Sequence, residues 1–294
     1  MVQARGSLII PFLLGWLFSI GIGLGTGYGP AYGQADLRVR GDRWLALSDV
    51  SGYVEIVPRG GQRRLARRGD RLRRVGDVLI TGPDSSARLE MDEAIGIVAV
   101  AENTRLQVQA LSVTTTGAYI TDLFLNYGQA RLRIRPLTNP ATRIEIYTPA
   151  GVSGVRGTDF GVAVGPNGQT GVATFEGVVS SEAQGQAVTV NAQQQTTLRP
   201  GEPPTPPAPL RDDPALFIET LRILPNQRDA AGRALAQVVG FTDPANLLQM
   251  NVQPRLLDRE GRFDLTLPVS AGGRIPTRVT TPLGTIQKYE LLVP

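Results

Sequence analysis

The chain has 294 residues, with Lys+Arg 30, Asp+Glu 26, no histidine, no cysteine and a formal net charge of +4. Lys288 is the single lysine, so every other basic residue is arginine. These absences exclude a Ser-His-Asp triad, a cysteine nucleophile, a Cys/His zinc site, any disulfide and a phosphate-loop lysine; carboxylate chemistry, an oxygen-ligand metal site or no chemistry at all remain.

The length predicts one or two domains. Gly 34 and Pro 22 together make roughly a fifth of the chain, which predicts short strands broken by many turns. Residues 1–35 read as a secretory signal. Arg5 supplies the positive start, Leu8 to Ile22 is an uncharged apolar run, and small residues precede Asp36. Cleavage after Ala35 sets Gly33 at −3, and cleavage after Gly33 sets Ala31 at −3. The run is about 15 residues, short of the roughly 20 that cross a bilayer. Left uncleaved, it is the only membrane attachment the sequence offers. The reading implies a periplasmic or secreted protein that uses no disulfide in a compartment that permits them.

Charge is concentrated. Arg59 to Arg74 reads RGGQRRLARRGDRLRR, eight arginines against Asp70; without it and Arg5 the chain is net acidic. Arg63, Arg64, Arg67, Arg68, Arg71, Arg73 and Arg74 form the candidate binding patch. No aromatic residue interleaves them for base stacking, which argues against nucleic acid. An envelope protein, an anionic polysaccharide or a lipid headgroup suits them better; the plainer alternative is a solvated hairpin. Arg-Gly-Asp occurs at 40–42 and 68–70; against an adhesion motif, chance occurrence is easy with so many Arg, Gly and Asp residues, and the second copy reads as an ordinary Gly-Asp turn.

From Trp44 to Leu198 short strands recur every 8–12 residues. They are expected at Ser51–Val57, Val78–Thr81, Ala87–Met91, Ala94–Val100, Thr104–Val108, Ala118–Leu125, Gln129–Ile134, Arg143–Tyr147, Phe160–Val164, Gly171–Phe175, Gly177–Ser181 and Val188–Val190. Gly165-Pro166-Asn167-Gly168 is the strongest hairpin signal. No run of 12 or more residues has helical spacing. The pattern predicts an all-β sandwich, barrel or short solenoid. Pro200–Pro214 holds seven prolines in 15 residues and reads as an extended linker. Strands resume at Leu216–Leu224, Ala234–Gly240, Leu247–Val252, Arg262–Val269, Ile275–Thr280 and Gln287–Val293, which predicts a small second sandwich over 215–294. The domain division is thus 1–35, 36–199, 200–214 and 215–294.

Thr148 to Phe160, TPAGVSGVRGTDF, carries a resemblance. It resembles the signature of FecR-type domains, a Thr-Pro pair followed by Val-Arg-Gly-Thr-x-Phe. Gly69-Asp70, Gly76-Asp77 and Ile80-Thr81 upstream resemble the family's paired Gly-Asp turns and following strand. Ala87–Met91, Asn103–Val108 and Val172–Val178 continue the order. The resemblance spans about residues 50–198. Val239-Gly240, Thr242-Asp243-Pro244, Leu248–Asn251 and Asp258–Phe263 resemble bacterial Ig-like modules, with Gln249-Met250-Asn251-Val252 in place of their Val-Asn-Gly turn.

The fold these resemblances imply is a FecR-type β-sandwich or short solenoid followed by a small Ig-like β-sandwich. FecR-type proteins are similar in being sensors of iron-uptake signalling, with an extracytoplasmic domain that meets an outer-membrane transporter and a cytoplasmic anti-sigma segment. Only seven residues precede the apolar run here, so no such segment is expected. Within the motif, Gly154 and Gly157 permit positive φ or close backbone approach, and Thr158 and Asp159 bond nearby backbone. Arg156 is expected buried and paired at a structural corner, with a ligand site as the alternative. The implied function is a non-catalytic binding or scaffold protein of the cell envelope, with no cofactor. The alternative is an accessory in TonB-dependent transporter signalling. A glycosidase would need two carboxylates from Asp92, Glu93, Glu102, Glu145, Asp159 and Glu176.

Overall fold

The computed structural model describes residues 43–91, 95–270 and 272–294. The apolar run, its cleavage site, the Arg-Gly-Asp triplet at 40–42, Asp92 and Glu93 lie outside the described residues. Among the described residues all regular structure is strand.

The first sandwich contains β1 (Leu45–Ser51), β2 (Val54–Val57), β3 (Arg64–Leu65), β4 (Arg71–Leu72), β5 (Val78–Thr81), β6 (Ser86–Met91), β7 (Gly96–Val100), β8 (Thr104–Val113) and β9 (Tyr119–Ile134). It continues with β10 (Arg143–Thr148), β11 (Gly151–Val155), β12 (Asp159–Val164), β13 (Thr170–Glu176), β14 (Val178–Ala183), β15 (Gln186–Asn191), β16 (Gln194–Leu198) and β17 (Ala208–Pro209). One layer has the order β4-β1-β6-β7-β9-β12-β13-β16-β17. The other has the order β3-β2-β5-β8-β9-β10-β11-β14-β15. β9 and β10 pair in parallel, and the other pairings are antiparallel.

The strands form where residues alternate. In β6 Ala87, Leu89 and Met91 point to the core while Ser86, Arg88 and Glu90 face out. Leu47, Ile56, Leu79, Val98, Leu106, Leu132, Ile146 and Phe160 belong to the same core between the layers. The expected strand Ser51–Val57 is broken at Gly52, whose φ of 74 turns the chain from one layer to the other.

The segments expected as two strands, Ala118–Leu125 and Gln129–Ile134, are one. β9 runs through both layers: up to Tyr127 it pairs with β8 and β10, and from Gly128 onward with β7 and β12. The transfer occurs at Gly128, with φ of 96, where an added methyl would fall on Thr104. The Thr104 hydroxyl oxygen accepts from the Gln129 N–H at 3.0 Å.

β12 and β13 do not alternate in burial; residues 160–164 and 170–174 are buried throughout. Phe160, Val162, Val164 and Val172 face the core. Their outer face carries Gly161, Ala163, Gly171 and Ala173, paired as Gly161↔Ala173 and Ala163↔Gly171. A strand pair buried on both faces needs a second cover. The second sandwich supplies it.

That sandwich has β18 (Phe217–Arg228), β19 (Ala234–Phe241), β20 (Leu247–Met250), β21 (Gln253–Arg255), β22 (Arg262–Pro268), β23 (Arg274–Thr280) and β24 (Ile286–Leu292). A three-stranded sheet, β18-β19-β22, packs on a four-stranded one, β21-β20-β23-β24, around Val238, Met250, Phe263, Ile275 and Val279. Two of its loops lie on the bare face of the first sandwich. A methyl at Gly161 would fall on the Pro282 carbonyl and one at Gly171 on that of Ala245. Polar side chains beside the bare patch fix the loops. Gln129 donates to the Pro282 carbonyl at 2.7 Å, Gln169 to that of Pro244 at 2.7 Å, and Gln195 to the Asp243 carboxylate at 3.0 Å. Arg278 pairs with Glu102, and with Asp84 at 2.8 Å.

The Pro-rich segment joins this interface. Ala208–Pro209 adds an edge strand to β16, and the Leu210 N–H donates to the Gln193 carbonyl at 2.8 Å. Further on, the Asp212 carboxylate accepts from Thr281 and Thr285, and the Pro214 carbonyl accepts from Tyr289 at 2.9 Å.

Gly128→Ala should cost about 2–4 kcal/mol, combining a disfavoured positive φ with overpacking against Thr104. Gly117→Ala has the same sign of φ, at 75, but open space, and should cost about 1 kcal/mol. Urea unfolding of both variants checks this, and equal losses would contradict it.

Candidate functional site

The 59–74 run folds around two aspartates. Buried Asp77 accepts backbone N–H bonds from Arg59, Arg73 and Arg74 at 2.9, 2.8 and 3.0 Å. Asp70 accepts from the Arg67 N–H at 2.7 Å and takes a fork from Arg64 at 2.7 and 3.0 Å. That guanidinium holds the Asp70 carboxyl below its usual range. Arg63 pairs with Glu55 at 3.2 Å, and Arg71 lies 4.3 Å over the Trp44 ring.

Arg59, Arg67, Arg68, Arg73 and Arg74 are exposed, and their side chains have no carboxylate partner among the described residues. β3 and β4 are the outer strands of the two layers at the same side of the sandwich, so the run caps one edge. Of the seven patch arginines, Arg63, Arg64 and Arg71 serve this framework, and Arg67, Arg68, Arg73 and Arg74 project from it.

The 148–160 motif is a hairpin and a corner. β10 pairs with β11, then residues 156–158 carry the chain to β12 in the other layer. Thr158 is buried; its hydroxyl donates to the Val178 carbonyl at 3.0 Å and its backbone pairs with Ile134 in both directions at 2.9 Å. Gly157 has φ of 117, and a methyl there would meet Pro136. Gly154 sits mid-strand on the outward face, with only Glu145 near an added methyl. Arg156 differs from the expectation of a buried, paired side chain: it is exposed. The fork expected of it belongs to Arg131, which grips Asp159 at 2.7 and 2.9 Å, with Arg133 adding a bond at 3.1 Å. Arg156 lies in the strand-to-strand crossing, where among the described residues no carboxylate pairs with it.

The carboxylates do not converge as a free pair. Glu145 and Asp122 are neighbours on β10 and β9, but Arg143 lies between them, 2.7 Å from Asp122 and 3.5 Å from Glu145. Burial pushes the Asp122 carboxyl up, and the hydrogen bond to Glu145 at 2.6 Å pushes the Tyr147 phenol up to about 12. Asp159 is held by two arginines, Glu102 faces Arg278, and Glu176 is exposed on β13.

A cleft of about 730 Å³ lies where the two sandwiches meet. The first sandwich lines it with Pro83, Asn103, Asn126 and Tyr127, the second with Val252, Pro254, Arg255 and Ile286. Val252 at its margin is unusual. Asn251 and Val252 make the two-residue turn between β20 and β21 with φ of 53 and 64. Both residues of such a turn need positive φ, which suits Asn-Gly and strains a β-branched side chain. The sequence offered Glu102 as a carboxylate candidate, Asn103 at a strand start and Asn167 in a turn, but nothing in it joined these residues to Asn126 or Arg255 in one cleft. They come from distant segments, and the one local signal was Asn126 interrupting the apolar pattern of β9.

Residues 77–180 match the model of the FecR protein family. This segment, about a third of the chain, is similar to FecR domains. It begins at the aspartate that orders the arginine run and ends in β14; the arginine run itself and the second sandwich lie outside it. Two solved structures assigned as anti-sigma factors of Parabacteroides distasonis are similar. One aligns at 12% identity and TM-score 0.38, over 45% of this chain and 59% of that one. The other aligns at 11% identity and TM-score 0.39, over 49% and 68%. A polysaccharide lyase aligns at 11% identity and TM-score 0.18, over 85% of this chain and 40% of its own. No curated protein matches the chain.

Val252→Gly should stabilise the protein by about 1 kcal/mol, because glycine adopts the left-handed conformation without strain. Thermal unfolding checks this; a lower midpoint would mean that Val252 is held by packing instead.

Proposed function

We propose that this is an extracytoplasmic, non-catalytic binding or scaffold protein of the bacterial cell envelope. Its FecR domain and arginine-capped edge dock an anionic envelope surface, and its second, Ig-like sandwich spaces or presents that contact. The observation that carries the reading is the set of exposed guanidinium groups at Arg59, Arg67, Arg68, Arg73 and Arg74 with no acidic partner among the described residues. They project from a backbone fixed by Asp70 and Asp77, so they are presented on a formed edge. Arginine suits phosphate and carboxylate because its planar fork matches their oxygens. The engaged carboxylates Asp122, Glu145 and Asp159 support the non-catalytic part. Charge on short edge strands also keeps them from pairing with other chains, a role compatible with binding.

The FecR match favours one other reading, an accessory in TonB-dependent transporter signalling that acts through a separate regulator. Deleting the protein would then alter iron-responsive transcription.

Sedimentation with phosphatidylglycerol vesicles and retention on polygalacturonate test the proposal. The protein should bind at about 50 mM NaCl and be released by about 500 mM, as screening dictates. Replacing Arg67, Arg68, Arg73 and Arg74 with Gln should weaken binding at least about tenfold, and more than replacing the engaged Arg63 and Arg64. Binding that ignores salt, or survives the quadruple change, would contradict the proposal.

A further inference from the structure

Three groups in the cleft between the sandwiches lack what buried polar groups ordinarily have. Asn103 Nδ2 and Asn126 Oδ1 are shielded from solvent and have no hydrogen-bond partner among the described residues. Native structures leave few such atoms unsatisfied. Arg255 is half-buried, and its Nε and Nη2 both donate to one acceptor, the Met250 carbonyl, at 3.3 and 2.9 Å. Its guanidinium has no carboxylate partner among the described residues, and dehydration lowers its pKa.

The remaining charges of the region cancel. Glu102 is taken by Arg278, which with Lys288 also engages Asp84. Arg255 is therefore the unbalanced charge of the cleft, and it is positive. The rest of the wall is chiefly apolar, with Pro83 and Tyr127 on one side and Leu247, Pro254 and Ile286 on the other. A volume of about 730 Å³ lies within the range of small-molecule sites, which combine apolar walls with a few placed polar groups.

We propose that this cleft binds a small amphipathic anion. Its apolar body lies against Tyr127, Pro254 and Ile286, its carboxylate or sulfonate meets Arg255, and its polar edge satisfies Asn103 and Asn126. The site is separate from the arginine-capped edge, so either can fail without the other. It needs both sandwiches, because the amides come from the first and the cation from the second.

The probe is 1-anilinonaphthalene-8-sulfonate, an apolar body with one sulfonate, titrated into the full chain by fluorescence and calorimetry. One site per chain is expected. Arg255→Gln should weaken the probe at least about tenfold. The Gln variant of Arg67, Arg68, Arg73 and Arg74 should leave that site unchanged, which separates the cleft from the edge. Dodecanoate should displace the probe from the wild-type chain and dodecanol should not. Should Arg255→Gln fail to fold, Asn126→Asp replaces it: a carboxylate in the wall should repel the sulfonate. Unchanged affinity in the folded variant, or loss of the site in the edge variant, overturns the proposal.

Discussion

The assembly depends on the absence of side chains at two positions. On the outer face of β12 and β13, Gly161 and Gly171 alternate with Ala163 and Ala173, and this patch lets two loops of the second sandwich rest on backbone. Close approach puts the Pro282 and Pro244 carbonyls within reach of Gln129 and Gln169, so the loops arrive with their buried oxygens satisfied. A buried carbonyl left unpaired would cost about 1–3 kcal/mol, so these two bonds permit the contact as much as they strengthen it. The ion pairs around the seam matter less. Arg259 and Glu202, or Lys288 and Asp84, are largely exposed and of the kind worth about 0–1 kcal/mol. The cleft exists only because this seam holds the sandwiches together.

Electrostatics divides the arginines by task. Arg131 on Asp159, Arg64 on Asp70 and Arg143 between Asp122 and Glu145 tie neighbouring strands or turns. Among the described residues, Arg59, Arg67, Arg68, Arg73 and Arg74 have no carboxylate partner and cluster at the edge formed by β3 and β4, outside the FecR match. One patch therefore gives a nearly balanced protein its basic character, and backbone hydrogen bonds to Asp70 and Asp77 hold that patch in place.

Much of this was legible in the chain. Alternation located most strands, and Gly165-Pro166-Asn167-Gly168 forms its hairpin with Gly165 and Gln169 hydrogen-bonded. Errors arose where a glycine's conformation decides the path. Gly52 splits an expected strand, and Gly128 joins two by bending one strand between layers. The motif at 148–160 hid β11, because its glycines suit positive φ or close backbone approach at a corner, while register with β10 and β14 makes 151–155 a strand. Proline content suggested an extended linker with no sheet pairing named, yet a proline at a sheet edge needs no donor, and Pro209 sits there. The Gly/Ala alternation of 161–163 and 171–173 was in plain view, but its partner loops lie far along the chain. Apart from Asn126 in β9, the cleft had no local signature for the same reason.

Differential scanning calorimetry of the full chain tests the docked arrangement most directly. The seam predicts one cooperative transition, with calorimetric and van't Hoff enthalpies in agreement. Gly161→Val, which sets a side chain on the Pro282 carbonyl, should split it into two. Two transitions in the unaltered protein, or a single unshifted one in the variant, would contradict the account.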